Sequence, residues 1–279
     1  MKLGYLGPKG TFSEQAALAY AGNLAGEVLL EQFSTIYDVI CAVETGDVQE
    51  GIVPFENSIE GIVTNTIDTL IFDVNLWIKA EVTIPIAHSL LVQKDYAGEP
   101  IQKIFSHPQA LAQCRKFIRE KFGNVEVEPV SSTAASAEIV SKGERYWAGI
   151  GTRRAGELFG LRPLYQQIQD ENHNATRFLV VSKKAPQSAD LCNKKASIVF
   201  STMHKPGELY KILDIISIWD LNMTKIESRP MRNQMGKYVF LIDLEVNDAG
   251  DFHDALKMIE RKTSFFKNLG VYDIIKPMN

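Results

Sequence analysis

The strongest constraint in this sequence is an alternation. Over the first two-thirds of the chain, short apolar runs trade places with helix-patterned segments, and junctions rich in Gly, Ser and Thr separate them. KLGYL (2–6) stops at Gly7-Pro8, and helical spacing follows over 13–21. Strands are predicted at 27–33 and 51–53, with a helix at 35–45 between them. The exchange recurs as IFS (104–106) into a helix at 108–122, VEVEPV (125–130) into 133–141, and WAGIG (147–151) into 153–159. Such a chain builds βαβ units and an α/β fold with a largely parallel sheet. The stretch 78–92 reads as a hinge into a second lobe, and TRFLVVS (176–182) as the return.

A different plan begins after KKAPQSADLCN (183–193), which has Pro, Ser and charge but no periodicity and reads as a linker. ASIVFST (196–202) is a predicted strand. A helix follows at 206–219, with Leu209, Ile212, Leu213 and Ile216 at 3-and-4 spacing. Strands at 223–228 and 238–246, a helix at 251–261 and a last strand at 271–275 complete a βαββαβ order, the ferredoxin-like arrangement. A four-stranded sheet of this kind leaves open edges and one face free of helices, both suited to pairing with another copy.

Composition removes several classes of function. The 279 residues are 45% hydrophobic and 23% charged with a net charge of −4, so there is neither the low hydrophobicity of a disordered chain nor the basic excess of a nucleic-acid binder. Asp68, Asp73, Lys79, Glu81 and Pro85 interrupt the most apolar region, which cannot supply the roughly 20 apolar residues of a membrane span. Cys41, Cys114 and Cys192 show no metal-ligand spacing, and their odd number suits a reducing compartment. The N-terminal MKLGYLGPKG lacks a signal peptide's apolar run. A cytoplasmic protein without a metal site is expected.

Three βα junctions share one design. GPKGTFSE (7–14) offers Thr11 or Ser13 as a helix cap. SHPQALAQ (106–113) sets Ser106 before a helix opening with Pro108, and SSTAASAE (131–138) has hydroxyls at Thr133 and its neighbours with Glu138 beyond. Each helix start carries unpaired N–H groups and positive dipole potential that can hold a carboxylate, although plain capping explains any one of them. GIVPFENSIEG (51–61) places Glu56 and Asn57 after an apolar strand, where ligands bind in open α/β sheets. In DENHNATRFLVV (170–181), Thr176 supplies a small hydroxyl donor, Arg177 a fixed cation for a carboxylate and Phe178 an apolar wall. His88, His107 and His173 have no partners at ligand spacing and read as structural.

GPKGTFSE, VPFENSIEG, SHPQALAQCR, SSTAASAE and NATRFLVV, in that order, resemble the prephenate dehydratases; LNMTKIESRP (221–230) with KPGEL (205–209) resembles their regulatory ACT domain. The resemblance implies a two-lobed catalytic region over 1–182, like a type II periplasmic binding protein, with one lobe at about 1–78 and 165–182 and the other at about 79–164. A linker at 183–194 and an ACT domain over 195–279 would follow. It implies decarboxylative dehydration of prephenate to phenylpyruvate without a cofactor, Thr176 acting on the leaving hydroxyl. Thr11, Ser13, Glu56, Asn57, Ser106, Gln113, Thr133, Glu138, Arg177 and Phe178 would bind substrate. L-Phenylalanine would inhibit from a site including Gly207, Glu208, Leu209, Asn222, Glu227 and Ser228, in a homodimer or homotetramer joined through the ACT domains. Where that domain's motif reads Gly-Ala-Leu, this chain has a charge, Glu208, in the first turn of its helix. Two other readings fit the pattern: the same chemistry on arogenate, whose side chain carries an amine in place of the keto oxygen, and a two-lobed receptor without activity, since fold alone does not fix function. A transcription regulator would need a helix-turn-helix or basic patch, and neither is visible.

Overall fold

The computed structural model describes residues 1–186, 193–232 and 234–275. Residues 187–192 of the expected linker, Cys192 among them, residue 233 and the last four residues lie outside these. A first lobe contains β1 (Lys2–Leu6), α1 (Phe12–Ala21), β2 (Leu29–Phe33), α2 (Ile36–Thr45), β3 (Glu50–Asn57), the short β4 (Gly61–Ile62), α3 (Thr64–Phe72) and β5 (Trp77–Pro85). The chain crosses at 86–88 into a second lobe of β6 (Ser89–Val92), β7 (Lys103–Ser106), α4 (Pro108–Gln113), α5 (Arg115–Phe122), β8 (Glu126–Pro129), α6 (Thr133–Lys142), β9 (Trp147–Gly151), α7 (Arg153–Leu158) and β10 (Arg162–Tyr165). Residues 166–174 return it to β11 (Ala175–Ser182) in the first lobe. The C-terminal unit is β12 (Lys194–Ser201), α8 (Glu208–Ile218), β13 (Met223–Pro230), β14 (Tyr238–Val246), α9 (Ala249–Lys262) and β15 (Phe265–Ile275).

Among the described residues the strands form two sheets. One runs β13-β14-β12-β15-β5-β11-β3-β1-β2, with β4 on β3; the other is β10-β6-β9-β7-β8. Both are mixed rather than largely parallel, because β11 runs antiparallel to β3 and β5, and β6 antiparallel to β9 and β10. The expected hinge at 78–92 is mostly strand. β5 pairs along its length with β11, so the first lobe reaches Pro85 and the crossing is only three residues long. The helix expected over 108–122 breaks at Cys114, whose backbone (φ −115°, ψ 17°) leaves the helical region.

Each lobe and the C-terminal unit has its own core. Leu3, Tyr5, Ala17, Ile52 and Phe178 pack under α1; Leu90, Ile104, Ile118 and Ile150 fill the second lobe; Ile198, Phe200, Ile242 and Leu244 meet α8 and α9. Strand alternation decides what the C-terminal sheet does with its other face. Val199, Leu241 and Leu269, one residue out of step with the α8/α9 set, join Val53, Leu179 and Val181 in a core shared with the first lobe. That face is therefore covered within the chain. The C-terminal end of the β15 edge is covered as well, since Asp273–Ile275 pair in parallel with Ala80–Val82 of β5. Of the two open edges expected from the sequence, β13 is left open along its length. The lobes also touch directly: Thr152 Oγ1 donates to Gly10 O (2.6 Å), and a Cβ at Gly10 (φ +86°) would lie 3.1 Å from Ala155 Cα. That close approach and positive φ together require glycine.

Candidate active site

A cavity of about 800 Å³ lies between the lobes, at the strand ends where the β1–α1 loop, β3, the crossing segment, α4, α6 and β11 converge. Alternation on β3 and β11 selects which side chains reach it. Thr176 pairs with Asn57 and Arg177 with Glu56. Asn57, Thr176 and Phe178 line the cavity, while Glu56 and Arg177 point the opposite way. Thr176 is 9% exposed, and its Oγ1 accepts a 2.8 Å hydrogen bond from Asn57 Nδ2. With the oxygen so engaged, the hydroxyl proton is left to donate toward the cavity.

The expectation that Arg177 anchors a substrate carboxylate is corrected by its surroundings. Its side chain is 11% exposed; Nη1 lies 2.7 Å from Asp243 and 3.0 Å from Glu81, and Cζ stacks 4.7 Å over the Phe55 ring. Nη2 is 3.1 Å from Glu56 Oε2 without the alignment of a hydrogen bond. Lys225 and Lys195 close the cluster on Glu56 and Glu81. Burial alone would lower the Arg177 pKa, but Asp243 and Glu81 more than offset it and hold the guanidinium charged. Burial likewise pushes Glu56 up, and the Lys225 hydrogen bond with the Arg177 charge bring it below the usual carboxylate range. These groups weld the first lobe to the C-terminal unit; they do not face the cavity. Ser106 is also used internally: fully buried, it donates to Ile150 O at 2.6 Å, and His107, not Ser106, caps α4.

The remaining candidates reach the cavity. Thr11 caps α1 by accepting from Glu14 N, and Ser13 lies in the first turn. Ser132 caps α6, so Thr133 is its first helical residue. Glu138 stands farther along, paired with Lys142 at 2.7 Å. Gln113 ends α4. Among the described lining residues there is no lysine or arginine, which leaves the positive ends of α1 and α6 as the anion-attracting features.

Two residues beside the cavity, His88 on its wall and Asn174 behind Asn57 and Gln113, were not singled out as site residues from the sequence. Asn174 receives Asn57 Nδ2 (2.9 Å) and the Ser58 hydroxyl (3.1 Å) on Oδ1, and its Nδ2 donates to Gln113 Oε1 (3.1 Å). His88, 3% exposed and edge-on to Phe12, lies with Nε2 3.2 Å from the same Gln113 oxygen. Burial lowers the His88 pKa, only partly opposed by the Gln113 bond, and its Nδ1 has no hydrogen-bond partner among the described residues.

The C-terminal unit has a smaller hollow of about 300 Å³, lined by Gly207, Glu208 and Leu209 with Met203, Tyr238 and Phe240. Gly207 (φ +81°) precedes α8, and Glu208 pairs with Lys211 at 2.7 Å. Asn222 lines a different hollow and donates to Glu245 at 2.7 Å. Glu227 and Ser228 belong to β13, which β14 separates from β12. Within one chain these candidate effector contacts do not meet.

The prephenate dehydratase family model matches residues 3–186, the span of both lobes. The chain is 40% identical over 275 residues to the bifunctional chorismate mutase/prephenate dehydratase of Aquifex aeolicus, covering 98% of this chain and 73% of that protein. It is 38% identical to the prephenate dehydratase of Methanocaldococcus jannaschii, covering 97% of each. The crystal structure of the Arthrobacter aurescens prephenate dehydratase in complex with L-Phe superposes with a TM-score of 0.87 at 30% identity, over 98% of this chain and 90% of that one. A match spanning both lobes, with relatives this similar along nearly the whole length, places the chain in the prephenate dehydratase family.

Proposed function

We propose that the chain converts prephenate to phenylpyruvate, carbon dioxide and water, with Thr176 acting at the leaving hydroxyl. The ring carboxylate departs as carbon dioxide, and the electron pair of that bond enters the ring. The ring then expels the hydroxyl, which takes a proton and leaves as water. Aromatisation drives the step, so the protein's task is to hold two carboxylates and assist the departing oxygen. The observation that carries this reading is the Asn57–Thr176 bond on the cavity wall, which uses the threonine oxygen as acceptor and leaves its proton free to donate to a ligand. A neutral threonine is a weak general acid, so hydrogen-bond stabilisation of the departing oxygen is its main contribution. The starts of α1 and α6, one on each lobe, are suited to the carboxylates, with Thr11, Ser13 and Thr133 beside them, and Phe178 to the ring. The test is phenylpyruvate formation from prephenate by the purified chain. Absence of product from a folded sample rules the proposal out.

L-Phenylalanine is proposed as a feedback inhibitor acting through the C-terminal unit as an ACT domain. The hollow at Gly207–Leu209 accommodates an amino acid, and the free β13 edge, carrying Glu227 and Ser228, suits pairing with a second copy. Inhibition requires that the effector prefer a state in which the cavity binds substrate poorly, so substrate must weaken effector binding in equal measure.

A further inference from the structure

Hydrogen-bond polarity beside the cavity can be followed from the backbone to Gln113. Ile59 N and Glu60 N can only donate, and both donate to Asn57 Oδ1, at 3.0 and 3.1 Å. Asn57 must therefore present its amide nitrogen to Thr176 and to Asn174, whose Oδ1 receives it. Asn174 in turn presents Nδ2 to Gln113, whose Oε1 receives it. His88 meets that same oxygen with Nε2 and must donate too, which assigns the Nε2–H tautomer and leaves Nδ1 unprotonated in the neutral ring. The amide of Gln113 cannot flip without setting its nitrogen against the Asn174 donor and forcing His88 into the other tautomer. Its nitrogen has no hydrogen-bond partner among the described residues, and Gln113 lines the cavity, where that nitrogen is free to meet a ligand.

We infer that Gln113, held by His88 and Asn174 with only N–H donors toward the cleft, selects the keto acid prephenate over the amino acid arogenate. The inference rests on the activity proposed above. The leaving hydroxyl and the three-carbon side chain occupy opposite, para positions of the substrate ring. Placing the hydroxyl at Thr176 on the first lobe carries the side chain toward the second-lobe wall, where α4 ends in Gln113. A keto oxygen there accepts from the amide. An ammonium group brings donors against donors, and a site built to hydrogen-bond one partner discriminates strongly against the group that cannot complete the bond. His88 and Asn174 are positioning residues for this selection; Gln113 makes the contact.

The test compares kcat/KM for prephenate and for arogenate in the full chain and two near-isosteric variants. Gln113→Glu places an acceptor in the cleft, and the prephenate-to-arogenate ratio should fall at least about tenfold. Asn174→Asp presents an acceptor to Gln113, so the amide should turn over, the ratio should fall in the same direction, and His88 should move to the Nδ1–H tautomer. Nitrogen-15 NMR of the imidazole reads that tautomer independently of turnover. Wild-type preference for arogenate, or a ratio unmoved in both variants, overturns the inference while leaving the dehydratase activity in place. A wild-type chain inert toward both substrates overturns the activity itself.

Discussion

Arg177 and Asp243 meet at 2.7 Å, although one lies on the strand that carries the proposed catalytic threonine and the other on the middle of the C-terminal sheet. Asp243 is fully buried and also receives the Ser197 hydroxyl at 2.6 Å. Removing one partner strands the other charge away from water. Arg177→Met should lower folding stability by about 3 kcal/mol or more, read from urea midpoints. KM for prephenate should change less than about twofold where the variant is folded. A large rise in KM at undiminished stability would return Arg177 to the substrate site.

Thr176→Ala should reduce kcat by roughly two to four orders of magnitude, the range for a lost positioned donor. Substrate binding by equilibrium titration should barely move, because the helix starts remain. Thr176→Ser should recover part of the rate. Near-normal turnover in the alanine variant would end this assignment.

These two residues also mark what was legible. The alternation of elements and the βαββαβ order could be read from apolar spacing. So, in principle, could the opposite orientation of Arg177: flanked on a strand by Thr176 and Phe178, it has to point away from both. Glu56 beside Asn57 follows the same rule. Motif resemblance grouped adjacent letters that the pleat separates. Strand β5 was hidden by Lys79 and Glu81, charges that suggest a surface hinge until their partners are known. Glu81 is buried against Arg177 and Lys195, and Lys195 lies far downstream. His88 and Asn174 were hidden for a related reason. Their bonds to Gln113 span 25 and 61 residues, beyond any local spacing rule.

His88 gives stability a defined pH dependence. Its folded pKa is depressed below 6.5, chiefly by burial, so the unfolded chain takes up the proton first. Stability from this group is complete above about pH 6.5 and falls as pH drops from there toward the folded pKa, by at most about 1.4 kcal/mol per pH unit. His88→Phe should flatten that part of the curve in chemical denaturation at several pH values. An unchanged slope would show that other groups control it.

Gly207 holds φ +81° with nothing within 4 Å of an added Cβ, so alanine there adds strain without a clash. Gly207→Ala should cost about 1 kcal/mol locally and disturb the start of α8. The phenylalanine concentration for half-inhibition should rise several-fold, and turnover without effector should stay within about twofold. Unaltered inhibition would move the proposed effector site elsewhere.

The proposed chemistry draws on aromatisation and hydrogen bonding alone. Exhaustive chelation and dialysis should leave turnover intact. Activity lost on that treatment and restored by one added metal would contradict the route proposed here.

The pairing of β15 with β5 bears on how the chain is made. β5 is an inner strand, with β11 on one side and β15 on the other, and β15 is the last described strand to be synthesised. During translation the first lobe must wait with one edge of β5 unpaired and Glu81 without Lys195. Contacts this distant in sequence slow folding and keep a sticky edge available to neighbouring nascent chains. Cutting the C-terminal unit away would make that transient condition permanent. A truncated chain should therefore aggregate, and inhibition by phenylalanine has to be dissected with point variants in the intact protein.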